Sequence, residues 1–201
     1  MFVVLEGLDG VGKSTAARRL ADRLGARFAR TPPDVMRPFR AEFDASDATR
    51  RKVFYEVGNF IAGEEARAAL DRGESTVCDR YFCSTHAYIM GRAAQSVAAL
   101  PRVGDPAWPE WPALLQRPTH MFVLTLPHEA RVARLAARVA ASGGAEPETA
   151  EEALLRESEP TCAAINAAFE RLGCVSVSAE GDEIDVAERL VALVGGAPQA
   201  P

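Results

Sequence analysis

Eight consecutive residues, Gly7-Leu8-Asp9-Gly10-Val11-Gly12-Lys13-Ser14, fit the pattern G-x-x-x-x-G-K-[ST] at every fixed position. Glycines let the backbone turn tightly, so that successive N–H groups and a helix N-terminus point at phosphate oxygens; Lys13 adds positive charge near a transferred group. The hydroxyl of Ser14 suits Mg²⁺. A bound nucleoside triphosphate is the chemistry this segment implies, with Gly7, Asp9, Gly10, Val11, Gly12, Lys13, Ser14 and Thr15 around it. Further along, an apolar run ends in Asp79-Arg80-Tyr81. An Asp there can hold Mg²⁺ through water, and the adjacent Arg can clamp a second phosphate-bearing molecule, an arrangement for passing a phosphoryl group to a small acceptor. Taken alone, an Asp-Arg pair also reads as a surface ion pair. No guanine-reading N-K-x-D segment occurs, and the strand lacks the terminal Asp-Glu pair of larger ATPases.

The elements that must position these residues follow from the apolar pattern. Phe2 to Leu5 reads as a strand, and Ala16, Ala17, Leu20, Ala21 and Leu24 form a helical stripe behind the glycine-rich loop. Further strands are expected at Arg27 to Arg30, Ser75 to Cys78, His120 to Leu126 and Cys174 to Ser178. Helices are expected at Asp47 to Arg72, Phe82 to Ala94, His128 to Ala141, Thr149 to Leu172 and Ile184 to Val194. Such alternation predicts an α/β fold, a parallel sheet covered on both faces. Pro101, Pro106, Pro109, Pro112 and Pro118 make the stretch between them, with both tryptophans, an ordered surface loop. A single domain over 1–195 is expected, with a flexible tail at 196–201.

Composition bounds the function. The 201 residues are 48% hydrophobic and 25% charged with a formal net charge of −5, which offers no global basic field to a polymeric nucleic acid. Apolar stretches such as Met121 to Leu126 fall well short of the roughly 20 residues that cross a bilayer, so no membrane partner is expected. Phe2 to Leu5 is followed at once by Glu6 and Asp9, unlike a signal peptide, so a cytoplasmic location is expected. Cys78, Cys83, Cys162 and Cys174 have no CxxC spacing and read as free thiols in the interior.

Phe2 to Thr15, with Asp79-Arg80-Tyr81-Phe82-Cys83-Ser84-Thr85-His86-Ala87-Tyr88, resembles the thymidylate kinase family, the dTMP-phosphorylating branch of the nucleoside monophosphate kinases. The similarity continues through Ala68 to Gly73, Pro118 to Leu124 and Glu129 to Arg138. The resemblance implies a P-loop kinase fold with five parallel strands in the order 2-3-1-4-5 and a lid over about residues 139–157. It implies catalytic roles for Lys13, Arg80, Arg134 and Arg138, Mg²⁺ on Ser14 and Asp79, and donor adenine near Ala179. Arg131 shares a helix face with Arg134 and Arg138, and Arg156 lies just beyond. The acceptor would meet Asp9, Arg30, Arg80 and Tyr88, with Phe54 stacking on its base, while Arg37 or Arg40, outside the family pattern, could restore a phosphate contact.

Departures from the family pattern cluster on the acceptor side. After the second strand the family's Thr-Arg-Glu-Pro-Gly-Gly is replaced by Ala29-Arg30-Thr31-Pro32-Pro33-Asp34. An acceptor-site arginine is missing near Gly58-Asn59, and Ile89 replaces a polar neighbour of Tyr88. The lid tip is acidic, with Glu146, Glu148, Glu151 and Glu152 and without the family's Asp-Arg pair. The expected function is ATP-dependent, Mg²⁺-assisted phosphorylation of a nucleoside monophosphate, dTMP or a related pyrimidine nucleotide, by a homodimer. The alternatives are a kinase for a modified nucleotide or other small phosphate acceptor, and a degenerate nucleotide-binding regulatory module.

Overall fold

The computed structural model describes residues 1–143 and 149–196. Five strands, β1 (Phe2–Glu6), β2 (Arg27–Arg30), β3 (Thr76–Asp79), β4 (His120–Thr125) and β5 (Val175–Ser178), form one parallel sheet in the order β2-β3-β1-β4-β5. The strand order is the one the family resemblance implies. β1 lies at the centre, with Val4 opposite Cys78 of β3 on one side and Met121 of β4 on the other. All five of its residues are buried, as expected of a parallel strand covered on both faces.

Helices flank the sheet: α1 (Lys13–Leu24), α2 (Arg40–Asp44), α3 (Ala48–Asp71), α4 (Phe82–Ala94), α5 (His128–Ala141), α6 (Ala150–Glu157), α7 (Glu159–Arg171) and α8 (Glu183–Val194). The α1 stripe Ala16, Ala17, Leu20 and Ala21 is buried, and α1 packs on α8 while α4 packs on α7. Gly91 makes the second contact close, since a Cβ there would lie 2.5 Å from Ile165 Cγ1. Asp47 starts α3 by accepting the N–H groups of Thr49 and Arg50, and Asp182 starts α8 in a capping box with Asp185.

Three expectations are corrected. The helix expected from Thr149 to Leu172 is two helices, α6 and α7, broken at Ser158 ahead of Pro160, whose ring forbids a continuing turn. The third strand runs one residue further, to Asp79, which therefore sits on the ladder beside Leu5. Residues Asp34–Phe39 form a short 3-10 helix leading into α2, a region without an expected element. The proline-rich loop is tied down: Trp111 packs 4.3 Å from Phe82 and donates its indole N–H to Leu115 O, while Tyr81 OH donates to Gln116 O. All four cysteines are free and buried. Glu146 and Glu148 of the lid tip, and nearly all of the expected tail, lie outside the described residues.

Candidate active site

The carboxyl ends of β1 and β3 open into a common crevice, the usual place for a ligand in a parallel α/β sheet. The glycine-rich loop bridges β1 and α1 there. Gly10, at φ +87°, brings it against α5, where a Cβ would sit 2.7 Å from Leu135 Cγ. Lys13 is buried, its ammonium 2.6 Å from Leu8 O and 3.8 Å from the Asp9 carboxylate. Burial, reinforced by the nearby Arg80 guanidinium, lowers its pKa to about 8. An arriving polyphosphate would favour the charged ammonium again.

Ser14 donates its hydroxyl to Asp79 Oδ2 at 2.5 Å, joining the cradle to the end of β3. The other carboxylate oxygen, Oδ1, is buried without a hydrogen-bond partner among the described residues. A hydroxyl and an unpartnered carboxylate oxygen are the hard donors that Mg²⁺ takes, and they fit the ion expected from the sequence.

Arg80 follows directly, in the left-handed region at φ +70°. Its guanidinium donates to Asp9 Oδ1 at 2.5 Å, Ser84 Oγ at 3.1 Å and Tyr88 OH at 3.4 Å. Tyr88 in turn donates to Asp9 Oδ2 at 3.3 Å. Burial pushes the Asp9 carboxyl upward, but Arg80 and Lys13 outweigh it and hold the carboxyl well below the usual carboxylate range. Burial also raises the Tyr88 phenol well above its ordinary value, so it stays neutral. Loop, strand end and helix α4 thus converge as one charged cluster.

Glu6, the last residue of β1, was not among the sequence candidates. Its carboxylate is completely buried and accepts the backbone N–H groups of Tyr81 and Ser84, at 3.0 and 3.2 Å, and the Ser84 hydroxyl. Burial raises its pKa to about 7, against the opposing pull of Ser84 and Arg80.

The three arginines of α5 have separate settings. Arg134 bridges loops, donating to Val11 O, Ala179 O and Gly181 O. Beside it a second pocket of about 180 Å³ lies between Val11, Thr15, Asp182 and Val186. Arg138 makes a forked ion pair with Glu152 of α6, at 2.8 and 2.9 Å. Arg131 is 1% exposed and donates to Asp9 O and Leu155 O, fastening the cradle to α6.

A cavity of about 930 Å³ runs from Lys13, Ser14 and Asp79 past Arg80 and Tyr88 to Tyr55. Arg30 and Arg40 are in its wall, whereas Arg37 is exposed on the 3-10 helix. Of the adjacent aromatics Phe54 and Tyr55 on α3, Phe54 is buried and stacks on Phe43 at 4.7 Å, and the ring lining the cavity is that of Tyr55, whose OH donates to Asp44. Where the family arginine is missing, Asn59 donates to Thr85 Oγ1 at 3.1 Å. Glu151 of α6 closes the far rim, pairing with Arg51 of α3 at 2.6 Å and Arg92 of α4 at 3.0 Å. A fork of this kind leaves no periodic signal, since its three residues are far apart in the chain.

Residues 5–180 match the family model described as thymidylate kinase. The human protein named UMP-CMP kinase 2, mitochondrial, is 30% identical over 96% of this chain and 42% of its own length. Xanthomonas euvesicatoria pv. vesicatoria thymidylate kinase is 33% identical over 69% of the chain and 62% of its own. Xanthomonas campestris pv. campestris thymidylate kinase is 30% identical over 96% and 82%. The chain therefore spans less than two thirds of the length of the first two relatives. Among the described residues no helix is long and apolar enough to cross a membrane. With a P-loop joined to Asp79-Arg80 across the central strands, and a family match over most of its length, the chain belongs to the thymidylate kinase family of nucleoside monophosphate kinases.

Proposed function

We propose that this protein transfers the terminal phosphoryl group of Mg²⁺-ATP to a nucleoside monophosphate, dTMP or a related pyrimidine nucleotide. The observation that carries this reading is the continuous cavity, which joins the triphosphate cradle to an aromatic and arginine-lined chamber. Its volume is near the top of the ~300–1,000 Å³ range of small-molecule sites, which suits two nucleotides meeting end to end. The names of the relatives, thymidylate kinase and UMP-CMP kinase, favour a pyrimidine acceptor.

In this reading the loop N–H groups and Lys13 hold the donor phosphates, and Arg80 draws the acceptor phosphate into line. Bound through Ser14 and Asp79, Mg²⁺ supplies neutralising charge at the transferred group. Asp9 and Tyr88 meet the acceptor sugar, and Tyr55 offers its ring to the base. Arg134 shapes the adenine side near Ala179, and Arg138 exchanges Glu152 for phosphate as the lid over about 139–157 closes. No covalent intermediate is required; positioning and charge neutralisation carry the rate. A cytoplasmic setting belongs to this reading, as does a homodimer, which would cover the exposed Val53, Val57 and Phe60 on one face of α3.

The Asn59–Thr85 pair, standing where an arginine is expected, favours a second reading in which the acceptor is a modified pyrimidine nucleotide or other small phosphate. A coupled ADP-release assay with Mg²⁺-ATP and dTMP, dUMP, UMP, CMP and AMP separates the readings. Best turnover with a pyrimidine monophosphate supports the first. ATP binding without turnover of any acceptor would instead point to a regulatory module.

A further inference from the structure

We propose that Glu6 is a positioning residue for acceptor binding, holding the Arg80 turn through the backbone and the Arg80 guanidinium through the hydroxyl of Ser84. The proposal rests on the assignment of Arg80 to the acceptor phosphate.

A carboxylate at the end of an apolar central strand is expensive to bury unless its oxygens are taken up by donors. Glu6 has three, all from one turn: the N–H groups of Tyr81 and Ser84 and the Ser84 hydroxyl. Tyr81 is the N-cap of α4 and makes no capping bond with its own side chain. Glu6 takes over that role from another element, placing its carboxylate at the helix N-terminus, where negative charge is favoured.

This cap also brackets a strained residue. Arg80 is in the left-handed region, a conformation unfavourable for a non-glycine residue because its Cβ crowds the following carbonyl oxygen. On one side its own N–H donates to Leu5 O at 2.9 Å; on the other, the next N–H, that of Tyr81, donates to Glu6 Oε1. Two consecutive residues of β1 therefore fix two consecutive N–H groups of the turn.

The side chain is governed by hydrogen-bond direction. Ser84 has one hydroxyl proton, which it donates to Glu6 Oε2, leaving its oxygen to accept Arg80 Nη1 at 3.1 Å. The chain of donors thus runs from guanidinium to hydroxyl to carboxylate. It turns Arg80 so that Nη2 meets Asp9 and Tyr88.

Glu6→Gln separates this role from simple capping. The amide oxygen can still accept both backbone N–H groups, but the amide nitrogen then faces Ser84 Oγ as a donor and competes with Arg80 for the same oxygen. Ser84→Ala removes the hydroxyl and leaves the Glu6 cap. We expect each variant to raise the acceptor KM about tenfold, as for loss of an oriented charged hydrogen bond, with KM for ATP close to wild type and no fall in melting temperature to account for it. The double variant should be no worse than either single one, because both break the same chain. An unchanged acceptor KM in both single variants, or a fall in melting temperature alone, would overturn the proposal. If wild-type protein turned over no acceptor, the kinase reading would fail by itself. The Arg80 side-chain Nε–H resonance would then decide the positioning role: a shift or broadening in Glu6→Gln supports it, and an unchanged signal refutes it.

Discussion

Lys13 lies where burial and a neighbouring arginine depress its pKa, yet Leu8 O and Asp9 hold its ammonium beside the loop N–H groups. Its value is therefore realised when phosphate arrives, so Lys13→Ala should lower phosphoryl transfer by on the order of 100-fold or more while the fold survives. Steady-state turnover alongside circular dichroism checks this, and wild-type turnover would displace the cradle assignment. Glu6 makes a prediction about stability. Its pKa is raised from the ordinary 4.5 to about 7 in the folded chain, so the unfolded chain loses this proton first as pH rises. The contribution is thus fully present below about pH 4.5 and lost as pH passes through about 7, on the order of 3 kcal/mol in all. His86, lowered to about 4 by burial, works in the opposite direction between about 6.5 and 4, which makes a comparison with Glu6→Gln necessary. Urea unfolding should show wild type losing stability relative to Glu6→Gln as pH rises through this window; a constant difference would refute the assignment.

Among the elements, α6 joins the two sides of the site. Glu151 ties it to α3 and α4 through Arg51 and Arg92, while Glu152 ties it to α5 through Arg138. Partly exposed pairs of this kind contribute roughly 0.2–1 kcal/mol each. Glu151→Ala should therefore loosen α6 and quicken its amide hydrogen exchange about fivefold, with α1 and the sheet unaffected. Exchange followed by mass spectrometry gives the result directly, and unchanged protection in α6 would mean that the fork contributes nothing to holding it. Arg131 acts differently from its neighbours on α5: buried against Asp9 O and Leu155 O, it is a fastening between the cradle and α6.

For the molecule as a whole, donor and metal preferences follow from how loops from different parts of the chain meet. Arg134 holds Ala179 O and Gly181 O beside the small second pocket, so a donor base bound there would meet a loop without an N-K-x-D segment. Turnover should favour ATP over GTP and be abolished by a chelator of divalent cations, restored by added Mg²⁺. Equal rates with both nucleotides would remove the adenine assignment, and chelator-resistant activity would remove the metal from Ser14 and Asp79.

What the linear chain determined by itself is the part of the protein encoded by contiguous residues. The glycine-rich loop is legible because its turn, its N–H groups and its lysine belong to one uninterrupted segment, and the alternation of apolar strands and helices is enough for a parallel α/β sheet. The break at Pro160 was readable in principle, since a proline ring forbids a continuous helix wherever its neighbours fold. Other features depended on what packs against what. Phe54 and Tyr55 are adjacent on one helix, and only the presence of Phe43 on one side decides that Tyr55 is the ring left in the cavity. Arg131, Arg134 and Arg138 share a helical period but meet a buried carbonyl, a loop and a carboxylate in turn, because the surroundings change along α5. Glu6 looks in the sequence like the polar end of a strand; its task appears only when β3 lies beside β1 and brings the first turn of α4 onto its carboxylate. Local backbone preferences act over a few residues and can be read from the chain, whereas the partner of a buried charge is chosen by the packing of distant segments.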